Sequence, residues 1–151
     1  MGEGVRTCGL PREQIFVTSK VAAEHKDYAS AARSIDETLE KTGLDYLDMM
    51  IIHSPQPWAD FRGGDYAEGN REAWRALEDA YTAGKLRAIG VSNFKKPDLD
   101  NILSACRVKP MVNQILLHIS NTDEELLELE AQAQEVFPDI RFARAGDVYA
   151  L

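Results

Sequence analysis

Residues 44–58 read LDYLDMMIIHSPQPW, and the fold turns on this stretch. Leu47, Met49, Met50, Ile51 and Ile52 make an almost unbroken apolar run. Such a run suits a strand covered on both faces, as in a parallel sheet flanked by helices. It stops at His53, because the prolines of Ser54-Pro55-Gln56-Pro57 cannot donate to a sheet ladder. An imidazole at the C-terminal end of a buried parallel strand stands where α/β folds place their chemistry. A capped strand with a merely hydrogen-bonded histidine would read the same way. The decision therefore falls to the other strand ends.

Upstream, residues 28–42 carry a helical pattern with Ala32, Ile35 and Leu39 on one face and Gly43 as the stop. Before it, residues 15–20 (IFVTSK) have the β-branched and aromatic content of a strand, and this strand also ends on a polar group, Lys20. Residues 1–10 read as the tail of a helix. Downstream, residues 56–70 form a long polar loop holding Trp58, Phe61, Gly63, Gly64 and Tyr66; a disordered excursion would read the same way, but its exposed aromatics favour a pocket wall, with Trp58 taken as the substrate-pocket residue. Residues 71–83 predict an amphipathic helix with Ala73, Trp74, Leu77, Ala80 and Tyr81 inward, closed by Gly84. Residues 86–91 (LRAIGV) predict a strand ending in Ser92-Asn93. A helix over residues 97–106 directs Leu99, Ile102, Leu103 and Cys106 inward, and residues 111–117 form another apolar strand carrying Asn113 and Gln114. Thr122 and Glu125 have capping-box spacing at the head of a helix running to about residue 137. Residues 140–143 are a candidate final strand.

Strands and helices alternate with short connections, which implies parallel strands and right-handed crossovers. No glycine-rich phosphate turn is present, so a partial (β/α)8 TIM barrel is favoured over a dinucleotide-binding sheet. Residues 1–151 are read as a single partial barrel domain. Lys20, His53, Ser92-Asn93 and Gln114 recur at or near four successive strand ends, and a barrel gathers such ends at one mouth. An incomplete barrel leaves open edges, at residues 15–20 and near the C-terminal end, through which the chain is expected to self-associate.

The formal charge of −8 on 151 residues, with no offsetting basic cluster, argues against nucleic acid or an anionic membrane as partner. Hydrophobic and charged fractions of 44% and 28% are those of an ordinary globular chain. Cys8 and Cys106 lie far apart and lack ligand spacing, so a reducing cytoplasm is expected. Cys106 reads as a small core residue. No stretch is long and apolar enough to span a membrane, and the N-terminus lacks the layout of a signal peptide. A metal centre on His53 and His118 is disfavoured, since no acidic residue or third histidine occupies a matching strand end. His118 reads as a strand cap and His25 as a solvated loop residue.

IFVTSK, LDYLDMMIIHSP, AWRALEDAYTAGKLRAIGVSNF and MVNQILLH, in this order and spacing, resemble the aldo-keto reductases. The likeness covers roughly residues 2–127 and is sharpest at residues 84–94 and at Asn113-Gln114. Within the family it is nearest the bacterial and fungal type that reduces small aldehydes and diketones. The resemblance implies a (β/α)8 barrel that binds NADPH and delivers hydride to a small carbonyl substrate. It implies catalytic roles for Lys20 and His53, matching the family's lysine and histidine, and nicotinamide-carboxamide contacts for Ser92, Asn93 and Gln114. A nearby ammonium assists a proton donor, an imidazole orients the carbonyl, and fixed amides present one face of the ring. The family's aspartate and proton-donating tyrosine belong to strands that would precede Met1. Tyr28 and Tyr46 do not match that tyrosine. After residue 127 neither the family's stacking tyrosine nor its basic 2′-phosphate motif is matched, and Arg141 and Arg144 carry no family role. The expectation is a truncated reductase of impaired activity; the alternative is a non-catalytic cofactor-binding or oligomerising remnant.

Overall fold

The apolar run folds as the second of four strands in one parallel sheet. In chain order these are β1 (Thr18–Val21), β2 (Met49–Ile52), β3 (Ile89–Ser92) and β4 (Asn113–Gln114). Their spatial order is the same, β1-β2-β3-β4, and every pair is parallel. A doubly wound sheet reverses its order at a switch point, whereas each strand here lies beside its predecessor, as in a barrel. Helices α1 (Gly2–Thr7), α2 (Tyr28–Thr42), α3 (Ala67–Thr82) and α4 (Lys96–Leu103) complete the described elements, with short 3-10 turns at Arg12–Gln14 and Trp58–Asp60. The computed structural model describes residues 1–60 and 63–115, together with Leu127, Ala131 and Gln134, which are helical. The chain divides into two compact units, Met1–Ile115 and Leu116–Leu151, and this sheet belongs to the first. Leu116, Leu117, His118, the capping box at Thr122 and Glu125, the strand expected at residues 140–143, Arg141 and Arg144 lie outside the described residues. Among the described residues no helix is long and apolar enough to cross a membrane.

The core forms where strand rows meet helix faces. Val21, Ile52 and Val91 share one row of the sheet and are fully buried. Each such side chain contributes about 2 kcal/mol on leaving water. α2 starts where the Asp27 carboxylate accepts from the Ser30 amide at 2.8 Å and stops at Gly43, whose φ of 63° is the left-handed conformation glycine adopts freely. Its buried residues are Ala31 and Ile35, one turn apart; Ala32 is only half-buried, so the inward stripe is rotated from the expected one. Trp74 and Leu77 on α3 are buried as expected, while Tyr81 is half-buried. Cys106 lies beyond the end of α4 and is also half-buried, not a core residue.

Several boundaries differ from the sequence reading. β1 starts at Thr18, not Ile15, and Phe16 is 62% exposed. Pairing begins at Val17, whose carbonyl accepts from the Asp48 and Met49 amides and whose own amide donates to the Asp48 carboxylate at 2.8 Å. α3 starts at Ala67, where the Asp65 carboxylate accepts from the Ala67 amide at 2.9 Å. Gly69 and Asn70, expected in the loop, therefore sit in its first turn. β3 begins at Ile89, and β4 is confined to Asn113 and Gln114 among the described residues.

The N-terminal end of the sheet is closed electrostatically. The Tyr46 ring lies between the guanidinium groups of Arg12 and Arg87, at 4.0 and 3.9 Å. Arg12 also pairs with the buried Asp48 at 2.7 Å, and Arg87 approaches the same carboxylate at 3.6 Å. In β/α barrels this end serves stability and the opposite end serves chemistry.

Candidate active site

In a parallel sheet, residues paired across strands project to the same face, and residues two apart on a strand share it. Lys20 pairs with Ile51, and Ile51 with Gly90. His53 and Ser92 lie two residues beyond Ile51 and Gly90, and Ser92 pairs with Gln114. Lys20, His53, Ser92 and Gln114 therefore project to one face at the C-terminal ends of four adjacent strands. Asn113 is in the alternate row with Val91, and its side chain donates to the Phe94 carbonyl at 2.9 Å. The neighbouring pair Asn113-Gln114 thus divides into a loop brace and a mouth residue. Gly90 makes room for the fourth strand: a Cβ there would lie 2.6 Å from the Val112 carbonyl oxygen.

Asn93 turns out of β3 with a φ of 62°, a left-handed conformation asparagine tolerates better than most residues. Its side-chain amide donates to the His53 carbonyl at 3.0 Å and to the Ser92 hydroxyl at 3.1 Å. The Ser92 hydroxyl in turn donates to the Gln114 carbonyl at 2.8 Å, and the Asn93 backbone amide donates to the same carbonyl at 3.0 Å. The His53 amide donates to the Val21 carbonyl at 3.0 Å. One continuous hydrogen-bond chain thus ties all four strand ends together. The groups left open are informative. Among the described residues the Lys20 ammonium, the His53 ring nitrogens and the Gln114 side-chain amide have no hydrogen-bond or ion-pair partner. Trp58 packs edge-on against the imidazole, with ring centroids 5.2 Å apart at 81°, and stays 47% exposed. It stands at the mouth beside His53, where the sequence reading put a pocket wall.

Sequence reading missed Lys26 and Asn70. The Lys26 ammonium donates to the Ser54 carbonyl and to the Asn70 side-chain oxygen, both at 2.8 Å, and the Asn70 amide donates to the Pro55 carbonyl at 2.9 Å. Burial lowers the Lys26 pKa to about 8, against opposing pulls from Glu24 and Asp98. The described phenols with assigned contacts are engaged elsewhere. Tyr28 donates to Asp79 at 2.9 Å, Tyr66 donates to Asp60 at 2.6 Å, and the Tyr46 ring is stacked between arginines at the other end of the sheet.

Consecutive parallel strands, helices between them and polar groups gathered at the strand C-termini define a barrel-type α/β protein with its site at the mouth. The chain belongs to the aldo/keto reductase family, whose family model matches residues 1–142. It is similar to the glyoxal reductase of Bacillus subtilis, 41% identical over 126 residues, which is 83% of this chain and 42% of that protein. Among solved structures it is similar to an aldo/keto reductase from Brucella melitensis, with a TM-score of 0.73 and 32% identity over 87% of this chain and 48% of that one. It is also similar to a Bombyx mori aldo-keto reductase in complex with NADP, with a TM-score of 0.69 and 32% identity over 89% of this chain and 42% of that one. These neighbours carry the (β/α)8 barrel, of which the described sheet is a part. The chain spans about two-fifths of the length of the curated relatives it matches.

Proposed function

We propose that this mouth is the carbonyl-reducing site of an NADPH-dependent reductase of small aldehydes or dicarbonyls, with Lys20 and His53 as its catalytic residues. The observation that carries the reading is the shared face: Lys20, His53, Ser92 and Gln114 project together, and the polar groups of Lys20, His53 and Gln114 are open. His53 hydrogen-bonds the substrate carbonyl, and the Lys20 ammonium stabilises negative charge as it develops on that oxygen. The bound cofactor supplies hydride. A nicotinamide carboxamide needs one acceptor and one donor, and the open Asn93 oxygen and Gln114 amide fit it. The Ser92 hydroxyl braces Asn93 and the Gln114 carbonyl, and its second lone pair is left to accept from the carboxamide N–H. Trp58 forms a wall against the substrate.

Among the described residues Tyr28, Tyr46 and Tyr66 make their contacts away from Lys20 and His53, and a site without a positioned general acid typically loses about 10²–10⁴-fold in rate. The 151-residue chain is therefore expected to bind NADPH better than it turns over. The same observation favours the second reading, a cofactor-binding module without catalysis. Free cysteines at Cys8 and Cys106 support a reducing, cytoplasmic setting. The test is NADPH titration followed by tryptophan quenching, alongside NADPH oxidation with a small dicarbonyl. Quenching with slow turnover, lost in His53→Ala, is expected. Absence of quenching would overturn cofactor binding, and rapid turnover would show that another group supplies the acid.

A further inference from the structure

The turn after His53 poses a hydrogen-bonding problem that the candidate site residues do not solve. Pro55 and Pro57 have no N–H, so the turn cannot satisfy itself as an ordinary loop would. Ser54 is fully buried and Pro55 is buried with it. Buried carbonyls need donors, and each one left unsatisfied costs about 1–3 kcal/mol. Both donors come from elsewhere in the chain. Lys26, in the β1–α2 loop, reaches the Ser54 carbonyl at 2.8 Å. Asn70, 2% exposed in the first turn of α3, reaches the Pro55 carbonyl at 2.9 Å. The two donors are themselves joined, since the Lys26 ammonium also donates to the Asn70 oxygen. The result is a closed loop of three hydrogen bonds around the Ser54–Pro55 peptide. Gly69 lets α3 come this close, for a Cβ there would lie 2.6 Å from the Lys26 carbonyl oxygen.

We propose that Lys26 is a positioning residue for His53: through the Ser54 carbonyl and the Asn70 side chain it fixes the turn that follows β2, and so holds the imidazole against Trp58 at the mouth. Its importance for catalysis rests on the reading of His53 given above; the clamp itself does not. His53 is held from both sides. Asn93 takes its own carbonyl, and Lys26 takes the carbonyl of the next residue. With both peptides pinned, the backbone has little freedom left to swing the ring. An ammonium suits this task because it presents three donors from one point and its bonds to carbonyls are charge-assisted.

The test follows the cross-relaxation between the His53 and Trp58 rings by NMR, with His53 assigned by comparison with His53→Gln. No cofactor or substrate is needed. In the wild-type chain this signal is expected to be strong. In Lys26→Met, which keeps the length but has no donor, it should fall severalfold, while methyl signals of Leu47 and Leu86 at the other end of the sheet stay in place. Lys26→Arg should recover most of it. Should Lys26→Met fail to fold, Lys26→Leu and Asn70→Ala carry the same reading, the first removing the ammonium donor and the second removing the Pro55 donor together with one of the two Lys26 acceptors. A folded variant of this set with the wild-type His53–Trp58 signal would overturn the proposal. Failure of NADPH quenching with the clamp behaving as expected would overturn the functional reading alone.

Discussion

Asn93 donates its side-chain amide to the carbonyl of His53 at 3.0 Å, from a backbone held at a φ of 62°. The two residues terminate adjacent strands, so this contact sets the lateral spacing of the mouth where β2 and β3 end. Replacing Asn93 with Ala removes the contact and leaves a β-carbon in the left-handed region. Together these should lower the unfolding free energy by about 1–3 kcal/mol in urea titrations. Asn93→Gly, which keeps the backbone conformation, should lose less stability yet bind NADPH as poorly. Equal stability of the Ala variant and the wild type would contradict this account.

At the opposite end, Asp48 accepts from the Val17 amide and pairs with Arg12. Asp48→Ala strands the Val17 amide and removes the anion beside Arg12, which keeps its bonds to the Ile15 and Tyr46 carbonyls, at an expected cost of about 2–4 kcal/mol. The variant should lose stability without any change in NADPH affinity once it is folded. Chemical denaturation combined with a quenching titration separates the two effects, and a selective loss of NADPH binding would be the surprising result.

Lys26 gives stability a defined pH signature. Burial lowers its pKa from 10.5 to about 8, with Glu24 beside it and Asp98 on α4 pulling the other way, and with the neutral Asn70 and the Ser54 carbonyl as its hydrogen-bond partners. Below about pH 8 both the folded and unfolded chains hold this proton, and folding carries the cost of burying a charge. Between about 8 and 10.5 the unfolded chain binds more protons than the folded one, so this group's contribution to stability rises with pH. The difference in unfolding free energy between wild type and Lys26→Gln should therefore move in favour of wild type across that window. A difference that stays flat from pH 7 to pH 10.5 would rule this out.

Self-association is expected from the sheet edges. Phe16, 62% exposed, precedes the outer edge of β1, and Met111 and Val112, 46% and 36% exposed, lead into β4. Among the described residues β1 and β4 each have a single partner strand, and such edges beside apolar side chains favour strand-to-strand contact. Light scattering on the 151-residue chain should show species larger than a monomer at micromolar concentration, and Phe16→Lys should reduce them. A stable monomer across that range would count against open edges.

The strand order and the mouth residues were legible because they depend on local signals. The apolar run of β2 is ended by prolines next to His53, and Ser92-Asn93 follows a short apolar stretch. Register then does the rest, since the row Val21, Ile52, Val91 and Asn113 brings the four parallel strand ends within one residue of each other. What sequence could not show depends on partners distant in the chain. Ile15 and Phe16 have strand composition, but pairing starts only at Val17, where Asp48 supplies acceptor and donor. Gly69 and Asn70 look like loop residues until Lys26 and the Pro55 carbonyl are seen to surround them. Lys26 itself is an ordinary polar loop residue in sequence, and its role comes from a carbonyl 28 positions away. Asn113-Gln114 reads as one motif, although strand alternation sends the two side chains to opposite faces.

The stacking of Tyr46 between Arg12 and Arg87 lies at one end of the strand that carries His53 at the other. A deep mutational scan scored twice, for cellular abundance and for ligand capture, should therefore split each strand by position. Abundance would be most sensitive before the strand and along its middle, and capture most sensitive just past its last residue. Evolution could then explore new substrates at one pole while leaving the scaffold's tolerance to mutation largely untouched.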